Sequence, residues 1–177
     1  MRELLTVGHG TAQAEELIEL LVAARVGLIV DVRRFPGSRR DPGVGREALS
    51  ASLPEAGIGY RWEERLGGRR RTPPGPQGQL DGWWRVEAFR AYAAYMRTET
   101  FTAGLDDLLA HDDDRRIAIM CSETLWWRCH RRLISDAATL LHQVPVQHLG
   151  HDGSETPHLP AAGARTMDAK LYYPADG

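Results

Sequence analysis

The sequence predicts a single-domain, three-layer α/β/α fold with a mostly parallel sheet of about five strands. Short apolar segments alternate along the chain with segments whose apolar residues recur every three to four positions. Such alternation is typical of a parallel sheet covered by helices on both faces. A chain of 177 residues with 42% hydrophobic content is also long enough to bury one substantial core. We expect the α/β domain over residues 1–150, followed by an irregular tail over residues 151–177 that packs on the domain or extends from it.

The predicted elements follow one another along the chain with loops between them. The strands are the apolar segments at residues 4–7, 28–32, 60–62, 117–120 and 144–149. Helical spacing occurs at residues 14–24, 46–56 and 86–97, with 101–109 as a continuation or a second helix, and again from 126 onward. Prolines and glycines predict loops at residues 36–45 and 69–82, and the second loop is basic. After residue 151 apolar residues are sparse and prolines recur, so no regular structure is expected there.

Charge is distributed unevenly along a chain whose formal net charge is only −2. Residues 33–71 contain ten arginines and five acids, a local excess of +5, so the remainder carries about −7, the difference between −2 and +5. Guanidinium groups suit phosphate and carboxylate oxygens, and this region therefore predicts an anionic partner, either a small molecule or a nucleic acid. The near-neutral total charge argues against broad non-specific binding of duplexes.

The sequence indicates a cytoplasmic protein with no membrane partner. No apolar run approaches the roughly 20 residues needed to span a bilayer, and the amino end enters directly into a predicted strand, without a signal peptide. Cys121 and Cys129 are the two cysteines, and without export signals they are expected to be reduced thiols. The sequence identifies neither a cofactor nor an oligomeric state.

The residues that follow parallel strands meet at one edge of the sheet, where open α/β sheets bind their ligands. Here they carry a thiol, two carboxylates, two imidazoles and several guanidinium groups: His9; Asp31, Arg33, Arg34 and Arg39; Gly67 and Gly68; Cys121 and Glu123; His148. We expect Cys121 and Glu123 to lie nearest the chemistry. The predicted ligand-binding residues are His9, Asp31, Arg33, Arg34, Arg39, Gly67, Gly68, His130 and Arg131.

The predicted chemical pair has a structural as well as a functional interpretation. Cys121 ends a buried strand and is either a small core residue or, just ahead of a helix, a reactive group whose thiolate the helix dipole favours. Glu123 either satisfies N–H groups at the start of that helix or serves as a base beside Cys121. Cys129 falls on the apolar stripe of the predicted helix, so we expect it in the core.

The ligand-binding candidates also allow two interpretations. His130 is either a hydrogen-bonded packing residue or faces the site, and Arg131 is either a surface residue or turns back toward the loop. Asp31 interrupts an apolar strand, and because burying an unpaired carboxylate is costly, an arginine partner is expected. His9 stands between two glycines, which either let a ligand approach closely or form a plain tight turn.

Four segments occur in an order that resembles the bacterial and archaeal family called domain of unknown function 488 (DUF488): TVGHG, LIVDVRRFPGSRR, the LGG after Tyr60, and MCSETLWWRCHRRLI. The resemblance covers about residues 5–149 and implies an α/β fold with a site at these segments, but no settled reaction. The V-D-V-R run and the later strand–Cys–loop–helix also look like rhodaneses and cysteine phosphatases. The C-x-x-x-x-x-R spacing of the phosphatases fails, because the sixth residue after Cys121 is Trp127, and the match to sulfurtransferases is loose.

These observations leave three classes of function open. The first is an enzyme or binder for a phosphate-bearing ligand, a nucleotide or nucleic acid, held by Arg33, Arg34 and Arg39. In this class, tryptophans 83, 84, 126 and 127 either stack on bases or pack in the core. The second is a metal site assembled from Cys121, Glu123, Cys129, His130 or His9, although seven residues separate the cysteines, unlike the short pairs of structural zinc sites. The third is a non-enzymatic interaction module.

Overall fold

The central feature of the protein is a six-stranded sheet covered by helices on both faces. The computed structural model describes residues 3–37, 41–110 and 114–175. Within them the strand order is β3-β2-β4-β1-β5-β6, with the first five strands parallel and β6 antiparallel. The strands are β1 (Leu4–Gly8), β2 (Val26–Asp31), β3 (Gly59–Trp62), β4 (Arg116–Cys121), β5 (Val146–Leu149) and β6 (Glu155–Pro157). The helices are α1 (Ala14–Ala23), α2 (Arg46–Glu55), α3 (Glu87–Met96), α4 (Glu99–Leu109) and α5 (Arg131–His142). The predicted three-layer α/β/α architecture and its five parallel strands are confirmed.

Two separate groups of buried apolar side chains cover the two faces of the sheet. Leu5 and Ile29 belong to the group that includes the inward residues of α1 and α2. Leu4 and Val30 belong to the group that includes residues of α3, α4 and α5. Because neighbouring residues of one strand point to opposite faces and both faces are buried, the strands are continuous apolar runs.

The segment of residues 86–109 forms two helices rather than one. The Thr98 side chain accepts a hydrogen bond of 3.3 Å from the backbone N–H of Phe101 and so caps α4. In the described part of the chain, no helix has both the length and the apolar character required to cross a bilayer.

The chain after β4 differs from the prediction of a helix starting near Trp126. Cys129 has an extended backbone (φ −122°, ψ 151°) and separates a short 3₁₀ turn, Trp126–Arg128, from α5. Cys121 therefore lies ten positions before the first residue of α5 and does not directly precede a helix. The predicted position of Cys121 just ahead of a helix is wrong.

The tail is not irregular, because it contains three short strands. β6 pairs with β5 at the edge of the sheet, and β7 (Arg165–Met167) and β8 (Lys170–Tyr172) form an antiparallel hairpin. Tyr173 is fully buried in the core, and its hydroxyl donates a hydrogen bond of 2.7 Å to Asp136 of α5. A few buried residues thus fix a segment whose composition is mostly polar.

Candidate functional site

A cavity of about 310 Å³ opens at the carboxyl edge of the sheet. Its position follows from the register, which pairs Gly8 of β1 with Cys121 of β4, and Asp31 of β2 with Met120. The residues that follow these three neighbouring strands therefore converge. Seven of the predicted site residues line the cavity: His9, Arg33, Arg34, Gly68, Cys121, Glu123 and His130.

Two thiols and one imidazole form a cluster in the wall of this cavity. The Nδ1 atom of His130 lies 3.8 Å from the Sγ atom of Cys121 and 3.6 Å from the Sγ atom of Cys129. The Nε2 atom of His130 lies 3.0 Å from the carbonyl oxygen of Val32. Since a carbonyl can only accept, Nε2 carries the proton and, in the neutral ring, Nδ1 presents its lone pair to both thiols. The three ligand atoms all lie within 4.8 Å of one another, so they could hold a metal ion.

The pKa values of the two thiols shift in opposite directions. The hydrogen bond with Cys129 and burial raise the pKa of Cys121 to about 12. Burial also raises the pKa of Cys129, but the hydrogen bond with Cys121 and the positive charge of Arg131 outweigh it and lower that pKa to about 6. Cys129 is therefore the more acidic of the two thiols. The expectation of a favoured thiolate at Cys121 is wrong, and Cys129, although buried, lines the cavity as well.

Arg131 lies behind the cluster and is only 1% exposed. Its Nε atom donates to the Sγ atom of Cys129 over 3.4 Å, and its Nη2 atom donates to the carbonyl oxygen of Glu123. Among the described residues it forms no ion pair with a carboxylate. Because a buried charge needs a counter-charge, the geometry explains why Cys129 is the more acidic thiol. Arg131 thus turns toward the loop, behind the cavity wall.

Asp31 and Arg33 form a buried bidentate ion pair, with the Arg33 Nε atom 2.9 Å and the Nη2 atom 2.6 Å from Asp31 oxygens. The Tyr60 hydroxyl donates to the same carboxylate over 2.7 Å. The expected arginine partner of Asp31 is confirmed. The Nη1 atom of Arg33 lies 3.3 Å from the Nε2 atom of His9. Because guanidinium can only donate, this contact fixes His9 as the tautomer with its proton on Nδ1, and burial and Arg33 lower its pKa.

Three glycines at this edge allow parts of the chain to approach too closely for a side chain. A Cβ atom on Gly8 would lie 1.8 Å from the carbonyl oxygen of Glu123. One on Gly67 would lie 2.8 Å from the Cα atom of Arg34, and one on Gly68 would lie 2.8 Å from the Nδ1 atom of His130. Gly67 therefore serves packing, whereas Gly68 leaves open the space in front of the cluster.

The cavity has a rim of guanidinium groups. Arg34, Arg69 and Arg128 line it, and within the described ranges none of the three forms an ion pair. Arg34 donates one hydrogen bond of 2.9 Å to the carbonyl oxygen of Arg69. The side chain of Phe35, 64% exposed, lies beside them, with the Arg34 guanidinium 5.5 Å from its ring centre. Glu123 contributes the single carboxylate of the described lining.

Besides Asp31, Gly67 and Arg131, which lie behind or beside the cavity wall, the described lining also lacks two other predicted residues. Arg39 lies outside the described residues. His148 is buried beside β1, where its Nδ1 atom lies 2.7 Å from the Thr6 hydroxyl and its Nε2 atom 3.0 Å from the Nδ1 atom of His158. His158 continues this chain to Asp136 over 2.7 Å, and the ring of Trp126 stacks on His148 at 3.8 Å.

The structure also adds residues that the sequence did not single out as site residues. Arg69 belongs to the run of three arginines at residues 69–71. The clustering of these arginines indicates an anion-binding region, but nothing in the sequence shows which of the three faces the cavity. Arg128 falls in the segment predicted as a helix, and Cys129, named only for the alternative metal site, is otherwise expected in the core. Tyr92 is a core residue of α3, and its ring packs against the imidazole of His130, with ring centres 5.1 Å apart.

The fold and the cavity at the carboxyl edge of the sheet define the class of protein. It is an α/β protein with a mostly parallel sheet and a thiol–imidazole cluster in a cavity of small-molecule size. The chain belongs to the family described as Domain of unknown function DUF488, which it matches over residues 13–138, more than half of its length. The matched range contains Asp31, Cys121 and His130, but it begins after His9 and ends before His148. No curated protein and no solved structure matches the chain.

Proposed function

We propose that the protein is an enzyme that binds a phosphate-bearing small molecule in the cavity at the carboxyl edge and places it against the Cys121–Cys129–His130 cluster. The observation that carries the proposal is the guanidinium rim of Arg34, Arg69 and Arg128, whose charges have no carboxylate partner among the described residues. Planar guanidinium groups bind phosphate oxygens in bidentate geometry. Such a set around a cavity supports an anion-binding site.

The charge of the lining supports this assignment. Four arginines and one glutamate line the cavity, a formal charge of +3. The charge of Arg33 is offset by Asp31, with which it forms a buried pair, so the lining keeps a net charge of +2. At the edge of a low-dielectric cavity this charge attracts anions more strongly than it would in bulk water.

The size and shape of the cavity favour a small molecule over a polymer. A volume of about 310 Å³ is at the lower end of the range for small-molecule sites. The exposed ring of Phe35 offers a flat apolar surface next to the arginines, and bases stack on such rings. A nucleotide, with its phosphate on the rim and its base on Phe35, combines both features.

The cluster and Glu123 supply the chemical groups of the proposed site. Cys129 is the more acidic thiol, and His130, held by Val32, provides a base or a ligand at Nδ1. Glu123 is exposed, and its carboxylate makes no hydrogen bond within the described residues, so it is available to a hydroxyl or an amine of the ligand. His130, not Glu123, is the group in contact with Cys121.

Binding of pyrophosphate, measured by isothermal titration calorimetry, tests the anion site. We expect Arg69→Gln and Arg128→Gln each to weaken binding roughly 10- to 100-fold, the equivalent of a lost charge-assisted hydrogen bond of about 1.5–3 kcal/mol. Arg25→Gln is the matched control, because Arg25 is exposed and precedes β2 at the opposite edge of the sheet. Equal affinity in all four proteins would exclude the rim as the anion site.

Turnover separates the enzyme from a non-enzymatic module. A panel of nucleoside mono-, di- and triphosphates is incubated with the protein and with Cys129→Ser, and the products are resolved by chromatography. We expect one or more members to be converted by the parent protein and not by Cys129→Ser. Binding of pyrophosphate without conversion of any member would favour the module.

A further inference from the structure

We propose that Cys121, Cys129 and His130 bind one zinc-type divalent metal ion, with a fourth coordination position open to the cavity. This inference goes beyond anion binding by the rim, because it assigns the cluster itself as a metal centre. Three protein ligands with one open position is the arrangement of catalytic rather than structural zinc sites, and two cysteines with one histidine is a known set for such sites.

The separations of the ligand atoms fit a tetrahedral ion. With metal–sulfur bonds of about 2.3 Å and a metal–nitrogen bond of about 2.0–2.1 Å, tetrahedral angles require sulfur–nitrogen separations of about 3.6 Å and a sulfur–sulfur separation of about 3.8 Å. The Nδ1 atom of His130 lies 3.8 Å from Cys121 Sγ and 3.6 Å from Cys129 Sγ, and all three atoms lie within 4.8 Å of one another. An ion therefore requires only small side-chain movements.

The surroundings of the imidazole support ligation through Nδ1. The Nε2–H group donates to the backbone carbonyl of Val32 over 3.0 Å, which fixes the tautomer and the orientation of the ring. Metal-binding histidines almost always donate their second N–H to such a partner. The ring of Tyr92 packs on the imidazole, and the Tyr92 hydroxyl is itself held by the carbonyl oxygen of Leu66 over 2.6 Å.

The open position faces the cavity because all three ligands line it. Gly68 passes in front of the Nδ1 atom of His130 without a side chain. An oxygen of the bound ligand, or a water molecule, can reach an ion there from the side of the arginine rim. The ion would polarise the phosphate-bearing ligand while the guanidinium groups hold its charge.

The chemistry of the donors selects the class of metal. Thiolate and imidazole ligands favour zinc and similar transition metals, whereas Mg²⁺ and Ca²⁺ prefer oxygen ligands. Binding forms two metal–sulfur bonds and one metal–nitrogen bond, and any proton still on either sulfur leaves to solvent. Two thiolates balance the charge of the divalent ion, and Arg131 stabilises the sulfur of Cys129 from behind.

Titration of the reduced, chelator-treated protein with Co²⁺, followed by absorption spectroscopy, tests the metal site. We expect thiolate-to-cobalt charge-transfer bands and the d–d bands of a tetrahedral ion, saturating at one ion per chain. Zn²⁺ should displace the cobalt and abolish the bands. Absence of these bands in the folded parent protein, or their persistence in the Cys121→Ser/Cys129→Ser double variant, would overturn the proposal.

Two glycine variants extend the test without removing a ligand. Gly68→Ala places a methyl group about 2.8 Å from the Nδ1 atom of His130, so the ring must move, and we expect binding at least 10-fold weaker, in the range seen when groups that orient metal ligands are lost. Gly37→Ala is the control, because no described atom lies within 4 Å of its added Cβ atom. Equal cobalt affinity of these two variants contradicts the assigned geometry. Pyrophosphate binding by the metal-free protein is measured in parallel, so that failure of the metal site is distinguished from failure of the anion site.

Discussion

Replacing Asp31 by asparagine is expected to destabilise the protein severely. Asp31 is fully buried and accepts hydrogen bonds from three side-chain groups, the Nε and Nη2 atoms of Arg33 and the Tyr60 hydroxyl, each with a shortest distance of 2.9 Å or less. Asparagine has the same shape but no charge, and its NH₂ group would face donors. Removing one partner of a buried pair costs about 3–5 kcal/mol, because the other charge is left uncompensated.

Urea denaturation followed by circular dichroism measures this loss. With a slope of about 2 kcal/mol per molar urea, a loss of about 4 kcal/mol moves the midpoint down by about 2 M. Asp107→Asn is the control, because this carboxylate also pairs with an arginine, Arg65, at 2.7 Å but is 58% exposed. Exposed pairs contribute about 1 kcal/mol or less.

The double variant Asp31→Leu/Arg33→Met separates loss of charge balance from loss of packing. Replacing both members of a buried pair by apolar residues of similar volume is often neutral, so we expect it to be more stable than Asp31→Asn alone. A shift for Asp31→Asn no larger than that of Asp107→Asn would refute the reasoning that burial makes this pair costly to break.

Two further predictions concern the buried chain of hydrogen bonds between α5, β5 and the tail. Burial, together with the charges of His158 and Arg131, lowers the pKa of His148 to about 3. At a pH below the ordinary histidine pKa of about 6.5, the unfolded chain therefore binds one more proton than the folded chain. The contribution of His148 to stability is therefore complete above pH 6.5 and is lost as the pH falls, so the free energy of unfolding should decrease by about 1.4 kcal/mol between about pH 7.5 and about pH 5.5. Urea denaturation at both pH values measures this decrease, which should be smaller in His148→Gln. An equal decrease in the variant would contradict the prediction. Tyr173→Phe removes the hydrogen bond of 2.7 Å to the buried Asp136 carboxylate and should lower the free energy of unfolding by about 1.5–3 kcal/mol, whereas Tyr172→Phe, at a partly exposed neighbour, should change it little.

The fold could be predicted because its signals are local. Each parallel strand is an apolar run, since both faces of the sheet are covered, and helices such as α1 show the spacing of residues that face the core. The convergence of His9, Arg33 and Cys121 then follows from topology alone, because parallel strands end at the same edge.

The parts that could not be predicted depend on single backbone conformations and on contacts between distant residues. Cys129 is extended, so α5 begins only at Arg131, and the Arg131 side chain donates a hydrogen bond to the Cys129 sulfur. No periodicity in the sequence reports such an interruption. The order of the tail likewise rests on Asp136, which binds both His158 and Tyr173 from far along the chain.

The most direct measurement of the proposed site is the anomalous diffraction of crystals soaked in tungstate, a heavy oxyanion with the shape and charge of a phosphate group. We predict a peak inside the cavity, within hydrogen-bonding distance of the guanidinium groups of Arg34, Arg69 or Arg128 and on the open side of the Cys121–Cys129–His130 cluster. Tungstate bound at other surfaces, with the cavity free of it, would contradict the assignment of this edge as an anion site.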